Sequence, residues 1–225
     1  MPAATTDTRA RPRRPGRPAG GTADVREALL VQARELFLQQ GFGAVSTRRI
    51  AAAAGTTPAM IHYHFGDKRG LFVAMMETAA QPVLAAVQRM GDADSGPPDL
   101  EALIRAYMQM VAANPWFPAL ILREVLAQDG PMRTQFIERF ATRTAPALVS
   151  VLRREREQGT LRANLDARHA AVSLLGLCVF PFISLPVTGP VLGFRPEGDE
   201  LDRFIEHTAR LFRHGVAMPQ ETADA

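Results

Sequence analysis

Apolar residues recur along most of this chain at spacings of three and four, which is typical of helices that bury one face. The first helix is predicted from Thr22, a residue type that often caps helices, to Gly41, a residue type that often ends them. Beyond residue 67 the same spacing predicts helices at 68–90, 99–113, 118–128, 131–157, 166–183 and 200–214. Alternating runs of β-branched residues, the pattern of strands, do not occur. The pattern therefore predicts an all-α fold.

Two short helices are predicted between the first helix and residue 67. Ser46 precedes an apolar stripe that includes Ile50, and Gly55 then turns the chain. Thr57 is a second helix-capping residue, and Pro58 follows at the first helical position, where its missing N–H costs no hydrogen bond. A short helix, a glycine turn and a second short helix form the arrangement of a helix-turn-helix, in which the second helix enters the DNA major groove.

The second short helix is predicted to have an inner and an outer face. Ile61 and Phe65, four residues apart, would face the first two helices. The outer face then carries small or hydrogen-bonding residues, namely Pro58, Ala59, His62 and Tyr63. Small residues at the start of this helix would let its backbone approach the floor of the groove, and the two rings would reach bases or phosphates.

The segment from Val25 to Phe72, with ARELFLQQGFGAVSTRRIAAAAGTTPAMIHYHFGDKRGLF inside it, resembles the DNA-binding domain of the TetR family of bacterial transcriptional regulators. The positions that carry the resemblance are Leu36-Phe37, Gly41-Phe42, Ser46-Thr47, Ile50-Ala51, Gly55, Pro58, Tyr63-His64-Phe65, Lys68 and Leu71-Phe72. Their conjunction is far more specific than a general helix-turn-helix pattern. One position departs from the family, which commonly has tyrosine where this chain has His62.

The resemblance implies an N-terminal three-helix helix-turn-helix DNA-binding domain over residues 23–67, followed by a larger helical ligand-binding and dimerisation domain over residues 68–225. It also implies the DNA contacts. Thr47 and Arg48 would contact DNA from the front of the second helix, and Lys68 would bind a phosphate. The residues that would line the groove are Pro58, Ala59, His62, Tyr63 and His64.

Bulky and soft side chains concentrate in the middle of the chain, and two interpretations of them are open. The first is an ordinary helical core. The second, favoured by the resemblance, is an apolar pocket for a small hydrophobic ligand, with Arg123 or Glu124 orienting a polar end of the ligand. The candidate residues are Tyr107, Met108, Trp116, Phe117, Ile121, Arg123, Phe136 and Phe140.

Two later helices have apolar stripes that look too wide for peripheral helices. The stripes are Ala170, Leu174, Leu177 and Cys178, and Leu201, Phe204, Ile205, Thr208, Leu211 and Phe212. They suit a four-helix interface between two copies, which is also how the resembling family dimerises. We therefore predict a homodimer through the last two helices and, as its partner, double-stranded DNA with a palindromic operator. Burial inside a single chain is the alternative.

Charge is distributed unevenly along the chain. Residues 1–72 hold 11 of the 26 basic and 5 of the 23 acidic residues, a net charge of +6 against +3 for the whole chain. Residues 1–22 are a predicted basic, disordered arm, because prolines block helix formation and like charges repel. The run from Arg14 to Pro18 resembles an AT-hook core, which would place Arg14 and Arg17 in a narrow minor groove. A solubilising tail is the open alternative.

No pattern predicts catalysis, a cofactor or a metal site. The sequence lacks a Gly-rich phosphate loop and the G-x-S-x-G and H-E-x-x-H motifs, and His62 and His64 would point in different directions around one helix. The single cysteine, Cys178, excludes a disulfide framework and fits a reducing compartment. We therefore expect a cytoplasmic protein that is not an enzyme.

The uncharged stretch from Ala170 to Phe194 is long enough to cross a bilayer. Its prolines and glycines, among them Pro186 and Gly189, would interrupt the second half. We therefore predict a buried helix that ends near Ser184, then a loop, and no membrane association.

These features predict a sequence-specific DNA-binding transcriptional regulator, and specifically a repressor that a small hydrophobic ligand releases from its operator. A transcriptional activator and an architectural DNA-binding protein with little sequence preference are the alternatives.

Overall fold

The computed structural model describes residues 22–91 and 100–216, and the regular elements of this part of the chain are helices. The first five are α1 (Thr22–Gln40), α2 (Thr47–Ala53), α3 (Pro58–Phe65), α4 (Lys68–Gly91) and α5 (Leu100–Ala113). Then follow α6 (Trp116–Leu120), α7 (Arg133–Phe136), α8 (Thr142–Glu157), α9 (Ala167–Ile183), α10 (Leu185–Leu192) and α11 (Gly198–Val216). The all-α prediction is confirmed. Most of the predicted arm, including Arg14 and Arg17, lies outside the described residues.

Two stretches are π-helical, with wider turns than an α-helix. The first, Ile121–Leu126, continues α6 and is called the π turn below. The second, Ile137–Ala141, joins α7 to α8. Arg133 closes the π turn, because its Nε donates to the Val125 carbonyl at 3.0 Å and its Nη2 donates to the Ala127 carbonyl.

Helices α1 to α3 pack on the start of α4 around three phenylalanines. The rings of Phe37 in α1, Phe42 in the following loop and Phe72 in α4 lie with centroids 5.4 to 5.8 Å apart. Ile50 of α2 and Ile61 of α3 are fully buried against the same core. The beginning of α4 is therefore part of the packing that fixes α3.

Local turn chemistry sets the ends of these helices. Gly41 and Gly66 end α1 and α3 with φ of +84° and +79°, a conformation that L side chains rarely adopt. Ser46 caps α2 as predicted, since its hydroxyl accepts the Arg49 N–H at 3.2 Å. Thr57 has the extended backbone of an N-cap, but its hydroxyl makes no capping hydrogen bond, so α3 begins on the fixed φ of Pro58 alone.

The larger domain is built around α5, which packs against α4, α9 and α11, while α8 packs against α4 and α9. Buried apolar residues form one continuous core that extends from the first three helices into this domain. The two domains therefore share a core through α4.

The prediction of a loop after Ser184 is wrong. Residues Leu185–Leu192 form α10, which is bent by 72° from α9. Pro186 sits in the first turn, where its missing N–H costs no bond, and Gly193 ends the helix with φ of +68°.

Two parts of the described chain have the length and composition of a membrane span. One is Lys68–Arg89 in α4, with 56% of its most apolar window buried inside the protein, and the other is the bent pair of α9 and α10. Core helices of soluble proteins have the same properties, so these features are weak evidence for a membrane.

Candidate nucleic-acid interface and apolar cavity

The outer face of α3 is open to solvent. Ala59, His62 and Tyr63 are exposed, and Tyr63 exposes 74% of its surface, which is unusual for a large aromatic residue. The helix is held from behind by Ile61 and by Phe65, whose ring lies 5.5 Å from the Arg26 guanidinium of α1. Pro58 is partly buried at the start of the helix. The face can therefore meet a partner without disturbing the core.

The two histidines of α3 have different surroundings. Nδ1 of His62 donates to the Gly66 carbonyl at 2.7 Å, which orients the ring and leaves Nε2 for an external partner. His64 is partly buried, and its ring contacts those of Tyr63 and Phe65. Nε2 of His64 is buried and has no hydrogen-bond partner in the described part of the chain. The predicted groove contact of His64 is therefore not supported through Nε2.

The start of α2 lies beside this face and is basic. Arg48 is exposed and Thr47 is partly buried. The exposed Arg49 donates from Nη1 to Oε1 of Gln40 at 2.8 Å, which ties α2 to the end of α1. Residues 42–66 contain no Asp or Glu, so no carboxylate of this segment would repel a phosphate backbone.

Lys68 is hydrogen-bonded inside the protein, whereas the sequence predicts only a phosphate contact for it. Its Nζ donates to the carbonyls of Phe42 and Val45, both at 2.7 Å, and lies 4.2 Å from the centroid of the Phe42 ring. Burial, followed by the neighbouring charge of Arg69, lowers the pKa of Lys68. An ammonium that is held by two carbonyls fastens the loop between α1 and α2. Its contact with a phosphate stays a prediction.

A cavity of about 430 Å³ lies in the larger domain, between α5, α6 and the π turn, α8 and α9. Its walls are almost entirely apolar. Five of the predicted ligand-binding residues line it, namely Tyr107, Phe117, Ile121, Phe136 and Phe140. A pocket of this size and lining is typical of sites for small apolar molecules.

Three predicted ligand-binding residues are not among the cavity's lining residues. Met108 is fully buried in the core, because it follows Tyr107 on α5 and points to a different side of the helix. Trp116 faces α1, where its ring lies 5.8 Å from the Arg34 guanidinium, and its Nε1 donates to Asn114. Arg123, predicted to orient a ligand, is occupied elsewhere.

Arg123 and Glu124, on the π turn, form hydrogen bonds to the DNA-binding domain. Nη1 of Arg123 donates to the Leu38 carbonyl at 3.0 Å and Nη2 donates to the Phe37 carbonyl, both at the end of α1. Oε1 of Glu124 accepts the Phe42 N–H at 3.1 Å and the Arg123 Nε–H at 2.7 Å. Glu124 is only 3% exposed, and these donors compensate its buried charge.

Sequence reasoning missed the α9 wall of the cavity, which includes Leu174, Leu175, Val179, Phe180 and Ile183. The signal lies in the long uncharged run of this helix, whose apolar spacing equally predicts buried core or a dimer surface. Cys178 also lines the cavity, and burial raises the pKa of its thiol to about 12. Burial likewise raises the pKa of the Tyr107 phenol, so both groups stay protonated near neutral pH.

Two family models match the chain. The model of the bacterial regulatory proteins of the tetR family matches residues 29–75, and the model of the tetracyclin repressor-like C-terminal domain matches residues 98–216, more than half of the chain. The chain belongs to the TetR family. This TetR-family protein is 37% identical over 60 residues to the HTH-type transcriptional repressor BepR of Brucella suis biovar 1 (strain 1330), a match that covers 27% of this chain and 29% of BepR.

Solved structures share the fold of this TetR-family protein. NalD, the secondary repressor of the MexAB-OprM multidrug efflux pump in Pseudomonas aeruginosa, superposes with a TM-score of 0.65 at 23% identity over 89% of this chain and 100% of that one. A SmeT–triclosan complex superposes with a TM-score of 0.65 at 19% identity over 86% of this chain and 92% of that one.

The stripes predicted to form the dimer interface of the TetR-family protein are mostly buried inside the single chain. Ala170, Leu174 and Cys178 of α9 and Ile205, Thr208 and Phe212 of α11 are buried, while Leu177, Leu201 and Phe204 are partly buried. Only Leu211 of the predicted set is exposed, at 52%. The apolar residues that α9 does expose lie on another side and include Val172 and Phe180, at 71% and 64%. For the buried members of the two stripes the structure favours the alternative, burial inside a single chain, because periodicity does not reveal which partner covers a face. A dimer through these two helices stays a prediction.

Proposed function

We propose that this protein is a transcriptional repressor that binds a palindromic DNA operator as a homodimer and leaves it when a small apolar molecule enters the cavity. One observation carries the proposal. The π turn contributes Ile121 and Leu126 to the cavity wall and, through Arg123 and Glu124, hydrogen-bonds to the DNA-binding domain. A single short segment thus contacts both the ligand site and the DNA-binding unit.

The exposed face of α3 and the start of α2 would contact the major groove. Ala59 would allow a close approach of the backbone, His62 and Tyr63 would reach bases or phosphates, and Arg48 would contact the backbone from α2. Thr47 and Pro58 border this face. BepR and NalD are both named as repressors, which favours repression over activation for this chain.

A second copy would cover the exposed apolar face of α9 and α11. Val172 of α9 and Leu211 of α11 expose large aliphatic side chains, and apolar surface left open to solvent favours association when a second copy covers it. A two-fold dimer repeats α3 on a second half-site one helical turn of DNA away, or a multiple of it, which accounts for a palindromic operator.

Release would follow from the position of the π turn. A ligand changes an equilibrium only by its different affinities for the two states. A molecule that pushes Ile121 or Leu126 outward would move Arg123 and Glu124 relative to α1, and so favour a spacing of the two α3 helices that no longer fits both half-sites. The existence of a SmeT–triclosan complex supports ligand binding within this fold.

The basic arm would add affinity through Arg14 and Arg17 in an adjacent minor groove. Deletion of residues 1–18 should then lower operator affinity and reduce the slope of log K against log salt by a few units, because each lost phosphate contact removes about one unit. An unchanged slope would show that the arm is a solubilising tail.

The decisive experiment is selection of the full-length protein on random duplex DNA, followed by sequencing of the bound fraction. We expect a palindromic motif that the protein prefers over random DNA by about a thousandfold or more. Transcription in vitro from a promoter that carries the motif should then decrease when the protein is added. Recovery of A·T-rich DNA without a motif would favour an architectural protein instead, and increased transcription would identify an activator.

A further inference from the structure

Within residues 22–91 and 100–216, the wall of the cavity described above carries no charged group. Its lining residues include no carboxylate, ammonium, guanidinium or imidazole side chain. The arginines of the neighbouring segments are directed elsewhere. Arg123 is bound to the end of α1, and Arg105 pairs with Asp202 of α11 at 3.1 Å. Arg143 pairs with Glu77 of α4 at 3.5 Å, and Arg139 is exposed to solvent. An ionised ligand would therefore lose its hydration without gaining a counter-charge, which is strongly unfavourable in an apolar site.

Among the described lining side chains, Tyr107, Thr144 and Cys178 carry a hydroxyl or thiol group that can donate a hydrogen bond. The hydroxyl of Thr144 is already used, since it donates to the Phe140 carbonyl of the preceding π-helical stretch at 3.2 Å. The thiol of Cys178 is a weak donor. The hydroxyl of Tyr107 makes no hydrogen bond within residues 22–91 and 100–216, although its side chain is partly buried in the cavity wall. The hydroxyl is not a fully enclosed atom, so a molecule in the cavity could supply its hydrogen-bond partner.

We propose that the cavity binds an uncharged, largely apolar molecule that places one hydrogen-bond acceptor, such as a carbonyl or ether oxygen, against the hydroxyl of Tyr107. The inference rests on the proposed function in taking this cavity as the effector site. It goes further in stating the charge of the ligand, the kind of polar atom that it carries and the residue that recognises it.

The chemistry of Tyr107 decides the kind of partner. Burial raises the pKa of the phenol, so Tyr107 keeps its proton and acts as a donor at physiological pH. A ligand with an acceptor would satisfy this donor, whereas a hydrocarbon of the same shape would leave it unpaired. A net hydrogen bond of ordinary strength corresponds to a preference of about five- to tenfold for the acceptor.

Three probes of similar size separate these contributions. Benzophenone carries one carbonyl acceptor, diphenylmethane carries none, and diphenylacetate carries a charge. Their dissociation constants can be measured by displacement of the neutral fluorophore N-phenyl-1-naphthylamine from the full-length protein. We expect benzophenone to bind about five- to tenfold more tightly than diphenylmethane, and diphenylacetate to bind at least about a hundredfold more weakly than benzophenone.

The variant Tyr107→Phe tests the residue. It should abolish the preference for benzophenone over diphenylmethane and leave the affinity for diphenylmethane unchanged, which a purely structural role of the ring would not do. Tyr63→Phe is the matched control, because the chain has two tyrosines and Tyr63 lies exposed on α3. Thermal melting by circular dichroism checks that both variants fold. Irradiation of bound benzophenone crosslinks it to nearby C–H bonds, so peptide mapping should locate it on α5 or α9.

Three results would overturn the inference: binding of diphenylacetate as tight as that of benzophenone, an unchanged preference in Tyr107→Phe, or crosslinks confined to residues outside the cavity. Failure of the proposed function looks different. Ketone binding through Tyr107 with no effect of any bound ligand on operator affinity would contradict ligand-released repression and leave the ligand chemistry intact. A palindromic operator together with no binding of benzophenone would contradict the ligand chemistry and leave the DNA-binding function intact.

Discussion

At the scale of single residues, the contact that matters most for the DNA-binding domain joins Lys68 to the loop after α1. The ammonium donates to the carbonyls of Phe42 and Val45, and it lies over the Phe42 ring that packs between α1 and α4. The loop therefore depends on a cation from α4, and the orientation of α2 depends on the loop.

Lys68→Met should lower the free energy of unfolding by about 1–3 kcal/mol, because two buried carbonyls lose a charged donor. Arg69→Met, which changes an exposed neighbour, should alter it by less than about 0.5 kcal/mol. Urea unfolding followed by circular dichroism measures both. The opposite result for Lys68→Met, with unchanged stability and a salt slope of DNA binding reduced by about one, would support the predicted phosphate contact instead.

At the scale of elements, the π turn is the segment on which the proposed regulation depends. This segment contacts both units of the protein. Ile121 and Leu126 lie in the cavity wall, while Arg123 and Glu124 contact α1 and the loop that follows it. The end of the turn is held by Arg133, whose guanidinium caps the last carbonyls. A segment fixed at its end but in contact with a cavity can transmit a displacement.

Glu124→Gln should weaken the link between the π turn and the loop, because a neutral amide oxygen is a poorer acceptor than a carboxylate and no longer pairs with Arg123. We expect the Phe42 amide to lose about tenfold of its protection against hydrogen exchange, and operator affinity to respond less to bound benzophenone than in the unaltered protein. Glu138→Gln, on the exposed second π-helical stretch, is the control and should change neither. Unchanged protection of Phe42 in Glu124→Gln would show that the link does not depend on charge.

At the scale of the whole molecule, the dimer that we propose depends on the exposed apolar residues of α9 and α11, among them Val172. Val172→Glu should convert the dimer to a monomer and lower operator affinity by about a hundredfold or more, since each monomer would hold one half-site only. The helical circular dichroism should stay the same because the Val172 side chain is exposed within one chain.

Light scattering coupled to gel filtration measures the mass directly. Ile137→Glu is the matched control, because it places the same charge at an aliphatic residue that is 47% exposed on another element. A Val172→Glu protein that still elutes as a dimer would show that the second copy does not cover α9.

The local sequence determined the helices and the helix-turn-helix. Helix spans depend on spacing, caps and breakers that lie within a few residues of one another, as at Ser46 and Gly66, so a single sequence predicts them. Where two local signals conflict, the sequence alone does not predict which one the structure follows. Pro186 and Gly189 predicted a loop, yet Pro186 is accommodated in the first turn of α10.

Tertiary structure decided what the long side chains do and which apolar faces remain free. Arg123, Glu124 and Lys68 contact residues far away along the chain, so no local pattern could assign them to α1 and its loop instead of a ligand or a phosphate. Periodicity showed that α9 and α11 have apolar faces. Whether such a face meets its own chain, a cavity or a second copy depends on how helices pack, and packing is a property of the whole fold.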